Sequence, residues 1–163
     1  MNKHLTLVRS FHQQYGIAQP DYPETNHLSD SEIVLRQSLL LACASDTCKA
    51  IADGDSVKTL AGLVDLAYNA LAAIACRGDD VVSVSVSWRQ DGSVLSLTRI
   101  LSDKVNQCTS GETIAYSGLY SLCQQLCKSF LNADFDTAFQ TIHQNLMAQD
   151  NPQHQELSAA FYE

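Results

Sequence analysis

Between Val57 and Ile74 the sequence sets Leu60, Leu63, Val64, Leu66, Tyr68 and Leu71 around much of a helical circumference, with no proline among them. A surface helix shows one apolar stripe, whereas a helix apolar on most sides has to be covered on most sides. With Asp55 or Ser56 as its cap and Gly78 near its end, the segment predicts a central helix with other helices packed around it.

The rest of the chain supplies those helices. Leu5, Val8, Phe11 and Tyr15 recur at three- and four-residue spacing ahead of Gly16, predicting a first helix. Residues 17–28, with Pro20, Pro23 and Asn26, read as an ordered crossover loop. Ser29 and Glu32 fit a capping box, and Ile33, Leu35, Leu39, Leu40 and Ile51 carry a long second helix to about Asp53, before Gly54. Ile114, Leu119, Leu122, Leu126 and Phe130 predict a helix from Glu112 onward. Phe135, Phe139, Ile142, Leu146 and Met147 predict another from near Asp134, and Asn151-Pro152 reads as the start of a short last helix.

Between residues 81 and 101 the period changes to two, with Val82, Val84, Val86 and Trp88 alternating against Ser83, Ser85 and Ser87. Asp91-Gly92 is a tight-turn dipeptide that would pair Trp88 with Leu95, Val86 with Leu97 and Val82 with Leu101. The expected architecture is therefore mainly α, a single helical domain over 1–163 with a β-hairpin inserted at about 81–101. The hairpin's apolar face needs a helix layer or a second hairpin to cover it, so a homo-oligomer of two or four chains is expected.

A formal net charge of −8, with no stripe of Lys or Arg, disfavours DNA or RNA as a partner. No signal-like apolar core follows Met1 and no uninterrupted apolar run nears membrane-spanning length, so a cytoplasmic protein without a membrane partner is expected. The six cysteines sit mostly inside helical patterns and read as reduced, buried thiols. Cys123 and Cys127, one turn apart, fit small core side chains better than soft-metal ligands. No Gly-rich phosphate loop, Gly-x-Ser-x-Gly elbow or His-Glu-x-x-His pair is present.

Three segments occur in a telling order: Val8-Arg9-Ser10-Phe11-His12, Leu35-Arg36-Gln37-Ser38-Leu39-Leu40 and Leu63-Val64-Asp65-Leu66-Ala67-Tyr68. Together they resemble the all-α nucleoside triphosphate pyrophosphatases of the MazG-like and HisE-like type. The resemblance covers roughly residues 7–78, and Ala138-Phe139-Gln140-Thr141-Ile142-His143 is similar to a later Phe-x-x-Val-His segment. It implies a helical bundle and magnesium-dependent cleavage of a nucleoside triphosphate to a monophosphate and pyrophosphate.

Acids on facing helices suit that chemistry, because carboxylates hold the magnesium that carries a triphosphate. The family's Glu-Glu-x-x-Glu falls on Ala42-Cys43-Ala44-Ser45-Asp46, and the next helix keeps Asp65 but has Gly62 in place of a glutamate. The resemblance thus implies Asp46 and Asp65 as the remaining metal ligands and Arg36 as a phosphate contact, with no catalytic base assigned. Each has a plainer reading, the aspartates as polar-face residues and Arg36 as a partner of Glu32. His12 and His143 read as structural or surface residues, and Glu112, Asp134 or Asp136 would join the site only if their helices approach it. The expected function is an impaired or altered pyrophosphohydrolase, the alternative an inactive relative that binds a nucleotide or a protein.

Overall fold

In the computed structural model, which describes residues 1–87, 93–148 and 160–162, six α-helices follow one another. They are α1 Lys3–Gln14, α2 Asp30–Asp53, α3 Ser56–Arg77, α4 Val94–Gln107, α5 Thr113–Ser129 and α6 Phe135–Met147. Their starts are set by side-chain caps that accept amide protons a helix leaves unpaired. Asn2 Oδ1 accepts from the His4 and Leu5 amides at 2.9 and 3.0 Å. Ser29 Oγ accepts from Glu32 at 3.2 Å, Asp55 from Lys58 at 3.0 Å and Asp134 from Thr137 at 2.9 Å. Gly54, in the left-handed region at φ 68°, ends α2 and turns the chain back, so that α3 runs antiparallel to it.

Sixteen of the 22 residues of α3 are buried, which makes it the axis of the bundle. It packs most extensively on α5 and α2 and also touches α1 and α6. Each leucine it encloses contributes about 1.5–3 kcal/mol of transfer free energy. By length and composition α3 could cross a membrane, with a mean hydropathy of 1.5 over its most apolar window, but 78% of that window is buried inside the protein. Its hydropathy is that of a core helix.

Polar side chains tie the periphery to this core. His4 is fully buried, with Nδ1 2.6 Å from the Tyr120 hydroxyl and Nε2 2.8 Å from Asp136 Oδ1. Burial holds the imidazole below its ordinary pKa against the opposing pull of Asp136, and the neutral ring can accept from Tyr120 while donating to Asp136. Arg77, 5% exposed, donates to the Gly111 carbonyl and Thr113 Oγ1, both at 2.8 Å, and pairs with Asp79. The crossover loop is fastened by Asn26 N–H to the Arg77 carbonyl at 2.7 Å and by Arg9 to the Pro20 carbonyl at 2.8 Å.

The inserted hairpin is not there. Its second strand is helix α4, and the first, residues 81–87, has no regular secondary structure and forms no ladder among the described residues. Trp88 and the Asp91-Gly92 turn lie outside the described residues, as does the Asn151-Pro152 start of a last helix. The reason lies beyond position 101. Leu97, Leu101 and Val105, spaced by four, are all buried to 1% or less, and Ser93 Oγ caps the helix by accepting from the Ser96 amide at 3.3 Å. Val81 and Val86 pack on the core as a strap, and the Val82 amide donates to Ser117 Oγ at 3.1 Å.

A helical 94–107 separates two leucines that a hairpin would have placed on one face. Leu101→Ala should cost about 3 kcal/mol in urea unfolding, and Leu95→Ala, at a 55% exposed position, less than about 0.5 kcal/mol. Equal costs at the two sites would favour the hairpin.

Candidate functional site

Because α2 and α3 are antiparallel, residues far apart in sequence meet at matched heights. Thr47 lies against Gly62, Asn69 Nδ2 is 3.5 Å from Cys43 Sγ, and Arg36 Nη2 is 3.0 Å from Cys76 Sγ. Asp46 and Asp65 fall between the first two of these contacts. They line one cleft of about 350 Å³ together with Lys49, Ala50 and Asp53 of α2 and Lys58, Ala61 and Gly62 of α3. The two aspartates singled out by the sequence are therefore brought together.

Their proximity has an electrostatic cost. Asp65 is exposed to solvent, yet its carboxyl stands among packed neighbours that displace part of its hydration. That loss of hydration, with repulsion from Asp46 second, pushes its carboxyl up to about 6. Cys43 feels the same surroundings: burial, then Asp65 and Asp46, push its thiol up to about 11, so it stands beside the pair as a neutral group. Lys49 and Lys58 bring the only positive side chains lining the cleft among the described residues.

The other candidates stand elsewhere. Arg36 is ten residues, about 15 Å along the helix axis, from Asp46, turned to Cys76 and away from the cleft. His12 is buried, with Nδ1 3.1 Å from Gln19 Oε1, and lines a separate groove between α1 and the crossover loop. His143 is buried against the Tyr68 hydroxyl at 3.1 Å. Glu112 is 3.6 Å from Arg77, Asp134 caps α6, and Asp136 pairs with His4 and Lys3. Cys123 and Cys127 are fully buried, and desolvation raises both thiols, that of Cys127 to about 12. Among the described residues no group of three or more His, Cys, Asp or Glu side chains is placed to hold a metal ion.

Lys49 and Lys58 do not stand out as site residues in the sequence, although their spacing from the aspartates is present there. Positions 46, 49, 50 and 53 share a face of α2, and 58, 61, 62 and 65 share one of α3. By sequence alone Gly62 is an absent glutamate. The structure gives it a positive role, since a Cβ there would sit against Thr47 Oγ1, 2.9 Å from Thr47 Cβ and 3.2 Å from its Cα. Thr47 is itself fully buried and donates to the Cys43 carbonyl at 2.7 Å. The helices meet too closely for any side chain.

Comparison with known proteins returns no matching family model, no matching curated protein and no matching solved structure.

Two substitutions probe this geometry. Gly62→Ala should cost about 1–3 kcal/mol in urea unfolding through overpacking, and Gly62→Glu more, so that restoring this one acid would not rebuild a larger cluster. Asp65 gives the second. A carboxyl whose folded pKa is raised adds stability that is present below the unfolded value near 3.8 and lost as the pH rises through about 6. Asp65→Asn should therefore raise Tm at pH 7.5 by roughly 1–3 °C, solvent screening part of the repulsion, and have little effect at pH 3.5. An unchanged or lower Tm at pH 7.5 would contradict the crowded aspartate pair.

Proposed function

We propose that the α2–α3 cleft is a reduced magnesium and nucleotide site, binding a nucleoside triphosphate and cleaving it to a monophosphate and pyrophosphate with impaired turnover. The observation that carries this reading is that Asp46 and Asp65, on facing helices, line one cleft with Lys49 and Lys58. The resemblance of residues 7–78 to MazG-like pyrophosphatases supports the choice of substrate.

The donor set suits the ion. Two hard carboxylate oxygens are enough for magnesium, which keeps much of its water and takes further oxygens from the phosphates. A cation between Asp46 and Asp65 would also relieve the repulsion that helps raise Asp65 toward 6. When bound, magnesium neutralises phosphate charge and polarises a phosphoryl oxygen. The chain's own contribution is to orient: Asp46 and Asp65 fix the cation, while the Lys49 and Lys58 ammonium groups reach phosphate oxygens. That leaves Arg36, about 15 Å away along α2, outside the phosphate subsite. In the metal-free cleft Asp65 takes up a proton below about pH 6, so a cation has to compete with that proton for the carboxylate.

A second reading, a non-catalytic nucleotide-binding relative, is favoured by one contact. Gly62 against Thr47 leaves no room for the family's further carboxylate, and Ala42 and Cys43 supply none. Fewer fixed charges around the transferring phosphoryl group mean a smaller rate enhancement.

Magnesium-dependent pyrophosphate release across a panel of nucleoside triphosphates separates the readings. The expected result is slow release by the native chain that falls at least about tenfold in Asp65→Asn and declines below pH 6. Release at background in both proteins, with magnesium-dependent nucleotide binding still seen by calorimetry and lost in Asp65→Asn, would establish the non-catalytic reading. Absence of both would exclude the cleft as a nucleotide site.

A further inference from the structure

We propose that the groove between α1 and the crossover loop binds a sugar phosphate, with the phosphate at Arg9 and the sugar hydroxyls on the acceptors around His12. The groove has a volume of about 630 Å³ and is lined by Thr6, Arg9, Ser10, His12 and Gln13 of α1 and by loop residues 16–19 and Asp21. It lies apart from the α2–α3 cleft, since Arg9 reaches the Ala75 carbonyl, ten residues and about 15 Å along α3 from Asp65.

Arg9 brings a charge that nothing in the chain neutralises. Its Nη2 and Nη1 donate to the Pro20 and Ala75 carbonyls at 2.8 and 3.4 Å, and among the described residues no carboxylate pairs with it. Neutral carbonyls hold the guanidinium in place and leave its charge and its remaining N–H groups to a ligand. Arg36 is likewise turned to the Cys76 thiol and not to an acid, and the charges acting on His12 are those of Arg36 and Arg9. On a chain of net charge −8 this groove therefore has a positive floor.

His12 sets what else the ligand must carry. The ring is 2% exposed, its Nδ1 is 3.1 Å from Gln19 Oε1, and Gln19 donates its own Nε2 hydrogen to the Arg9 carbonyl at 3.1 Å. Gln19 thus offers the ring an acceptor, the imidazole proton sits on Nδ1, and Nε2 keeps a bare lone pair with no partner among the described residues. Burial, aided by Arg36 and Arg9, holds this imidazole below its ordinary pKa against the pull of Gln19, which preserves that lone pair. Ser10 and Thr6 donate their hydroxyl protons to the Leu7 and Asn2 carbonyls at 2.7 and 3.0 Å, so they too present lone pairs, and Asp21 adds a carboxylate on the loop side. One cation beside a row of acceptors calls for a molecule anionic at one end and rich in O–H donors at the other. The volume, far larger than a bare phosphate ion, suits such a molecule.

Nitrogen-detected NMR titration of the full chain with glucose 6-phosphate and with arabinose 5-phosphate tests the site. Magnesium and nucleoside triphosphate are left out, so the outcome is independent of what the α2–α3 cleft does. At least one of the two should bind with a dissociation constant of about 0.1–2 mM, moving the His12 Nε2 and Gln13 amide resonances and leaving the Asp65 amide in place. Inorganic phosphate alone and the free sugar alone should each bind at least about tenfold more weakly, because each meets only half of the groove. Arg9→Gln should weaken binding at least about tenfold with an unchanged helical circular dichroism spectrum. Gln13→Glu, at an exposed position where folding is not at stake, should weaken it at least about fivefold by setting a negative charge beside the phosphate, and it decides the matter if Arg9→Gln does not fold. Sugar phosphates that bind no better than inorganic phosphate, resonance changes at Asp65 in place of His12, or binding indifferent to Gln13→Glu would each overturn the proposal.

Discussion

The close approach of α2 and α3 at Gly62 and Thr47 is the contact on which the rest of the molecule turns. A hydrogen atom in place of a side chain lets the two longest helices of the bundle lie flush, with Thr47 fully buried in the seam. That seam fixes the relative height of the helices and so places Asp46 beside Asp65. It also directs the outer side of α2 away from the protein's own core. The same contact that assembles the aspartate pair denies it a further carboxylate from position 62, so the site's geometry and its poverty in ligands have one cause.

Much of the helical frame could be read from local chemistry. Ser29 with Glu32, Asp55, Asp134, and Gly54 and Gly78 act as the caps and stops their positions announce, because capping depends on residues within one turn. The central helix was legible because its apolar residues wrap the circumference, and α3 is the most enclosed element. The pairing of Asp46 with Asp65 was legible because a short antiparallel turn at Gly54 converts sequence distance into helix height.

Helix α4 was not, for a reason that particular residues make clear. Leu95, Leu97 and Leu101 all occupy odd positions, and when the window stops at 101 they continue the Val and Ser alternation of residues 82–87. Asp91-Gly92 reinforced that reading with a local turn signal. Val105 decides otherwise, since with Leu97 and Leu101 it completes a stripe at four-residue spacing that only a helix can bury. Gly62 was opaque in another way. A glycine in a helix reads as a missing side chain until the partner helix shows what occupies the space, and that partner, Thr47, is fifteen residues away.

The central claim is that the seam forces Asp46 and Asp65 into one crowded, partly dehydrated cleft. Carbon-detected NMR titration of the Asp65 carboxyl tests it most directly, in the native chain and in Asp46→Asn. A midpoint near pH 6 that moves down when Asp46 loses its charge is the predicted result. A midpoint near the ordinary 3.8, the same in both proteins, would show that the two side chains do not share a site.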